Sequence, residues 1–143
     1  VSAPAGSIQQ ECVEGYLFAG TPVRLLIFRR PPDRGSIWVP ISGKVDADDA
    51  DWEAAIRREL REETGLASPK RLQALDWHVT FEGPEGGRWR LHAFGVEVEP
   101  GWNPRLSAEH DACAWVTPSE AVKRLHYEDN RGAVGRLLER MAP

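Results

Sequence analysis

The sequence predicts an α/β or α+β sandwich with a mixed central sheet, and three observations lead there. Three strand-like segments precede one strongly amphipathic helix, three more follow it, and helices close the chain. Strict strand–helix–strand alternation is absent, which argues against an all-parallel sheet. A length of 143 residues with 41% hydrophobic content suits one domain with an ordinary core.

The elements follow in chain order. Segments 11–19 (ECVEGYLFA) and 23–29 (VRLLIFR) are apolar enough for strands and meet around Gly20-Thr21-Pro22. RRPPDRGS is a loop, because consecutive prolines cannot sit in a central strand. Ile37 to Val39 forms a short strand leading into SGK. The first helix starts within the acidic run 46–53 and ends near Thr64. Asp49 or Asp51 caps its positive end, and Gly65 suits the residue after its last turn. Trp52, Ile56 and Leu60, with Ala55 beside them, make its buried stripe. Segments 72–81 and 89–98 are strands separated by the turn-rich EGPEGGR, and ACAWVT is another. A short helix runs from Pro118 to about Leu125. A last one begins near Asn130 and buries Val134, Leu137, Leu138 and Met141. The domain is set at 8–143. The first seven residues, VSAPAGS, lack an initiator Met and are expected to be a processed or cloning-derived end outside the fold.

Composition excludes several function classes. A net charge of −4 gives no electrostatic basis for binding a nucleic-acid polymer or a membrane surface. A phosphorylated ligand therefore needs local arginines or a bound cation. No apolar run reaches the roughly 18 residues of a membrane span. Cys12 and Cys113 lack CxxC spacing and are expected to be buried reduced thiols, in keeping with the cytoplasm. Oligomeric state is not legible.

The stretch RRELREETGL crowds Glu59, Glu62 and Glu63 onto neighbouring helix positions, where like charges repel by a few tenths of a kcal/mol per pair. Glu59 and Glu63 stack one turn apart beside the core stripe, with Glu62 next to them. Three carboxylates can thus converge on a hard divalent cation such as Mg²⁺ or Mn²⁺, which offsets their repulsion. A solvated acidic face is the other reading of the helix taken alone. An EF-hand is excluded: registers starting at Asp46 or Asp49 place neither Gly at the sixth position nor Glu at the twelfth.

Together with the preceding loop, GKVDADDADWEAAIRRELREETGL resembles the signature of the Nudix hydrolases, G-x5-E-x7-R-E-U-x-E-E-x-G-U, with U a bulky apolar residue. Arg58, Glu59, Leu60, Glu62, Glu63, Gly65 and Leu66 match every fixed position of the second half. The first half departs from it. Asp49 stands where the family has Glu, and eight residues rather than seven separate it from Arg58. Asp46, Asp48, Asp51 and Glu53 are other carboxylates that could replace the family's first acid, and Asp49→Asn is expected to cost less than about tenfold in turnover. The resemblance extends to LLIFRR…IWVPISGKV and LSAEHDACAWVTPSEAVKRLHYEDNRGAV, which are similar to the branch holding dihydroneopterin triphosphate pyrophosphatases and dinucleoside tetraphosphate hydrolases.

The resemblance implies a Nudix-like α/β/α sandwich and Mg²⁺-dependent hydrolysis of a phosphoanhydride in a nucleoside diphosphate linked to another group. A catalytically inactive nucleotide-binding module of the same fold is the alternative, motivated by the altered loop. The metal ligands it implies are Glu59, Glu62 and Glu63, with the Gly43 carbonyl, and Arg58 orients the carboxylates. Glu109, in the Glu-His pair before the last strand, is a further ligand or the general base, and the sequence does not choose between it and a box glutamate. His110 is expected to be a loop hydrogen-bonding or capping residue. Arg29, Arg30 and Lys44 are candidate phosphate contacts, Arg by bidentate bonds and Lys as a point charge. Trp38 and Tyr127 are the candidate stacking faces assigned to substrate, from a set that also includes Trp77, Trp89 and Trp102. His78 and His92 lie in strand patterns and read as core or sheet-face residues. The implied partner is a small phosphoanhydride such as a nucleoside or pterin triphosphate or a dinucleoside polyphosphate.

Overall fold

The computed structural model describes residues 7–84 and 86–141. Most of the stretch set apart from the domain, residues 1–6, lies outside the described residues, as do 85, 142 and 143. Among the described residues, seven strands and three α-helices run in the order β1 (Ile8–Ala19), β2 (Arg24–Arg29), β3 (Trp38–Val39), β4 (Ile41–Lys44), α1 (Trp52–Thr64), β5 (Arg71–Glu82), β6 (Arg88–Glu97), β7 (Ala112–Val116), α2 (Pro118–Arg124) and α3 (Glu128–Met141), with a single 3-10 turn at Pro32–Arg34 after β2. The expected α+β sandwich with a mixed sheet is what forms.

β1 organises the sheet because it has neighbours along both edges. β6 runs parallel to it over its whole length, from Ile8↔Arg88 to Phe18↔Glu97. The other edge is shared: β4 pairs antiparallel with Cys12 to Gly15, and β2 with Leu17 to Ala19. β2 in turn pairs with β3 and β7, and β5 pairs with β6. Pro40 has no N–H to give a ladder, so the strand expected at Ile37 to Val39 ends as β3, and SGK lies in a separate strand, β4.

Period-two alternation sends β1 side chains to two separate cores. Val13 and Leu17 join Leu26, Phe28, Ile41 and the α1 residues Ala55, Ile56 and Leu60 on one face. Tyr16 and Phe18 join Leu25, Ile27, Leu75 and the α3 residues Ala133, Val134, Leu137 and Met141 on the other. Leu138, expected in the α3 stripe, is only partly buried against that core.

α1 begins where Asp51 Oδ1 accepts the Ala54 N–H at 2.7 Å, so Asp51 and not Asp49 is its cap. It ends in Gly65 at φ +77°, whose N–H bonds the Arg61 and Leu60 carbonyls. Trp52 departs from the expected stripe. It is 38% exposed, and its ring stacks on His92 of β6 with centroids 3.4 Å apart, which leaves the rest of the ring uncovered. The buried stripe is Ala55, Ile56 and Leu60, with Glu63 and Thr64 completing it.

This division of labour on α1 is measurable. Leu60→Ala removes a fully buried side chain and should cost about 2–5 kcal/mol. Trp52→Ala removes mainly an aromatic pair and should cost about 0.5–1.5 kcal/mol. Urea denaturation of both variants checks the order, and equal losses would restore Trp52 to the core.

Candidate metal and phosphoanhydride site

A cavity of about 790 Å³ opens between α1, β4, the loop after β2 and the start of α3. Its acidic wall carries Glu59 and Glu63 from α1, Gly43 from β4, and Asp46 and Arg58 beside them. Glu109 lines the facing side with Arg30, Arg34 and Tyr127.

Gly43 is explained by space. A Cβ built on it would lie 2.2 Å from the Glu59 carboxyl carbon, so only glycine lets that carboxylate lie against β4. Glu63 is 6% exposed, and its Oε2 has no hydrogen-bond partner. An orphaned buried carboxylate oxygen is costly unless something else fills its coordination. Burial, and then the neighbouring Glu59, push the Glu63 carboxyl far above the usual carboxylate range. Burial raises Glu59 too, against the lowering pull of Arg58.

Arg58 joins the cluster together. Its Nε and Nη2 bond Asp49 Oδ1 and Oδ2 at 3.0 and 2.9 Å, a bidentate pair. Nη1 reaches Glu59 Oε1 at 2.7 Å and Glu62 Oε2 at 3.3 Å, and Nη2 also bonds the Lys44 carbonyl at 3.0 Å. Asp46 lies 3.4 Å away. The bonds from Arg58 hold Asp49 below the usual carboxylate range. Asp49 is therefore the partner of Arg58, despite the extra loop residue and the shorter side chain.

The other sequence-derived candidates separate. Lys44, Arg30 and Tyr127 line the cavity; Lys44 Nζ stands 4.9 Å over Trp89, and Arg30 Nη1 lies 3.5 Å from the Tyr127 hydroxyl. Arg29 does not line it and instead bonds Asp111 Oδ1 at 2.9 Å. Trp38 lies outside as well, under the Arg124 guanidinium at 4.2 Å. Glu62 is largely exposed and turned to Arg58 rather than into the cavity. Glu109 pairs with Arg34, a residue that sequence reasoning did not single out. His110 differs from the expected hydrogen-bonding role: it is buried beside Phe28, its Nδ1 lacks a partner, and burial pushes it down to about 4. Glu14 also lines the cavity and carried no sequence signal, since an isolated acid in an apolar strand forms no motif; Asp129 and Asn130 line it from the segment that carries the resemblance, where the sequence alone assigns them no role. No helix among the described residues is long and apolar enough to cross a membrane.

Among the described residues no three acidic, His or Cys side chains are assembled closely enough to hold an ion by themselves. The donor set still suits Mg²⁺, which keeps waters and takes one or two carboxylates plus substrate phosphates rather than a closed protein cage. The unpartnered Glu63 oxygen and the Glu59 carboxylate held over Gly43 supply that pair.

Comparison with known proteins agrees with this geometry. The family model of the NUDIX domain matches residues 15–137. The chain is 39% identical over 120 residues to an octanoyltransferase of Myxococcus xanthus, covering 82% of this chain and 33% of that protein. It thus spans about a third of that relative's length. It is 32% identical over 104 residues to the CTP pyrophosphohydrolase of Escherichia coli K12, covering 70% of this chain and 71% of the relative. Its fold overlays the dihydroneopterin triphosphate pyrophosphohydrolase of E. coli with a TM-score of 0.79 at 19% identity, over 93% and 99% of the two chains. With its box helix, its glycine seat and a family match over most of its length, the chain belongs to the Nudix family.

Proposed function

We propose that the protein hydrolyses a phosphoanhydride bond in a nucleoside diphosphate linked to another group, with Mg²⁺ or Mn²⁺ bound at Glu59 and Glu63. The observation that carries this reading is the orphaned, buried Glu63 oxygen one turn from a carboxylate seated on Gly43. The similarity to pyrophosphohydrolases supports the same bond type. A bound divalent ion supplies neutralisation of phosphate-oxygen charge and acidifies a water for attack at phosphorus.

The chain's own groups do the rest. Arg58 holds Glu59 in place and is itself fixed by Asp49. Arg30, Arg34 and Lys44 line the cavity as cations for phosphate oxygens not met by the metal. Glu109, across the cavity from Glu63, is the carboxylate assigned to take the water's proton, with the box glutamates as the competing base. Glu62, bonded to Arg58 at 3.3 Å, would be a further carboxylate available to the ion.

A transferase reading drawn from the octanoyltransferase relative has less support. The thiol lining the cavity, Cys12, is pushed up to about 11 by burial, so its nucleophilic thiolate is scarce. Both cysteines are free, which suits a reducing, cytoplasmic setting.

Turnover of a nucleotide panel should vanish in EDTA and return with Mg²⁺ or Mn²⁺; full turnover in chelator would sink the reading. Glu63→Gln should lower kcat about 10²-fold or more, roughly 2.7 kcal/mol of transition-state stabilisation. It should also abolish the rise in melting temperature that Mg²⁺ gives the wild type.

Without metal the sign reverses. The folded carboxyl is raised above its unfolded value, so the folded state keeps a proton that the unfolded chain has released. Stability then falls as pH climbs from the ordinary carboxylate range toward the folded pKa. Glu63→Gln should therefore gain on the wild type in EDTA as pH rises from about 5 to about 8. A constant melting-temperature gap across that range would contradict the assignment.

Asp49→Asn and Glu109→Gln distinguish positioning from proton transfer. Asp49→Asn keeps one acceptor for Arg58 and should lower kcat by about tenfold with the pH profile unmoved. Glu109→Gln should lower kcat further than Asp49→Asn does, with Mg²⁺ affinity intact. A fall no larger than that of Asp49→Asn would return the base to α1.

A further inference from the structure

The cavity reaches both faces of the sheet. Its acidic wall belongs to the α1 side, where Gly43 meets Glu59. Alternation along β1 turns Cys12 and Glu14 to the opposite side, the side of Tyr16 and α3. There Val79, Phe81, Trp89 and Leu91 give the cavity an apolar floor suited to a flat ring.

One charge-bearing side chain interrupts that floor. Glu14 is 3% exposed and still lines the cavity. Its Oε1 accepts the Tyr16 hydroxyl at 2.8 Å, and Asn130 Nδ2 donates to the same hydroxyl at 3.0 Å. The Tyr16 proton is committed to Glu14, and this relay from α3 locks the carboxylate's orientation. Among the described residues Glu14 has no other hydrogen-bond partner and no Lys or Arg in an ion pair. A carboxylate offers about four acceptor sites, so most of its capacity is unused inside the fold. Burial raises the cost of that vacancy and pushes the carboxyl up to about 7.

We infer that Glu14 reads the edge of the substrate's heterocycle, accepting the adjacent ring N–H and exocyclic N–H groups of an amino-lactam such as guanine or a pterin. The inference rests on the reading above for where the phosphates lie. The selectivity follows from donor patterns. A planar carboxylate matches two parallel N–H donors. Adenine and cytosine set a ring-nitrogen acceptor beside the amino group, and uracil flanks its single N–H with two carbonyl oxygens. Each of these turns a lone pair toward Glu14 in its ionised form, which can only accept, and a buried site rejects that strongly.

Equilibrium binding of monophosphates in Mg²⁺ buffer tests this without any turnover. GMP should bind about tenfold tighter than IMP, which lacks the amino group, and tighter still than AMP. Glu14→Gln, close in shape and still able to accept from Tyr16, should erase the GMP advantage; Tyr16→Phe should reduce it. A pterin monophosphate in the same assay identifies the source of the edge, by binding tighter or weaker than GMP. Equal affinities for GMP, IMP and AMP, no measurable binding of any of them, or a GMP preference that survives Glu14→Gln would overturn the inference. Should Glu14→Gln fail to fold, the wild-type ranking and Tyr16→Phe decide. Absence of nucleotide hydrolysis would defeat the proposed function while leaving this ranking measurable.

Discussion

The site depends on the Arg58 guanidinium. Five acidic or carbonyl partners surround it: Asp46, Asp49, Glu59, Glu62 and the Lys44 carbonyl. Without it, the acidic loop and the acidic face of α1 would repel one another across a short gap. With it, the loop, β4 and α1 are joined by one planar fork, and Glu59 is held where Gly43 leaves room. The three donor nitrogens fix orientation as well as charge, which a lysine ammonium would not do.

That compensation is incomplete by construction. Arg58 satisfies Asp49 and one side of Glu59, but it does not reach Glu63, whose inner oxygen has no partner. A stable protein seldom leaves such an atom buried unless function requires it. Glu14, on the opposite face of the sheet, is a second buried carboxylate with a single hydrogen-bond partner. Two buried carboxylates with spare acceptor capacity thus face one cavity from its two ends. One suits a hard cation and the other suits N–H donors, as a ligand with a phosphate chain and a heterocycle requires.

Much of this is legible in the chain. The strands, the helices and the amphipathic stripe of α1 follow from periodicity and turn residues, and the box spacing locates Glu59, Glu63 and Arg58. Trp52 escapes that logic because four-residue spacing continues to the helix's first position, where the ring lies against His92 and is not enclosed by the core. The role of Asp49 is hidden for a different reason. Loop insertions change spacing without revealing the path, and only the folded loop shows its carboxylate returning to Arg58. Arg29 and Arg30 are adjacent, yet β2 turns Arg29 to Asp111 and leaves Arg30 toward the cavity; their sequence context is too similar to separate them. Glu14 has no signature, since a lone acid in an apolar strand acquires meaning only from Tyr16, Asn130 and the cavity.

The central claim is that Glu59 and Glu63 form the protein side of a divalent-ion site. Crystals grown with Mn²⁺ and measured for its anomalous scattering test this most directly. The account predicts a peak within coordination distance of both carboxylates, close to Gly43, which disappears in Glu63→Gln. A peak at other residues alone, or one unchanged in that variant, would contradict it.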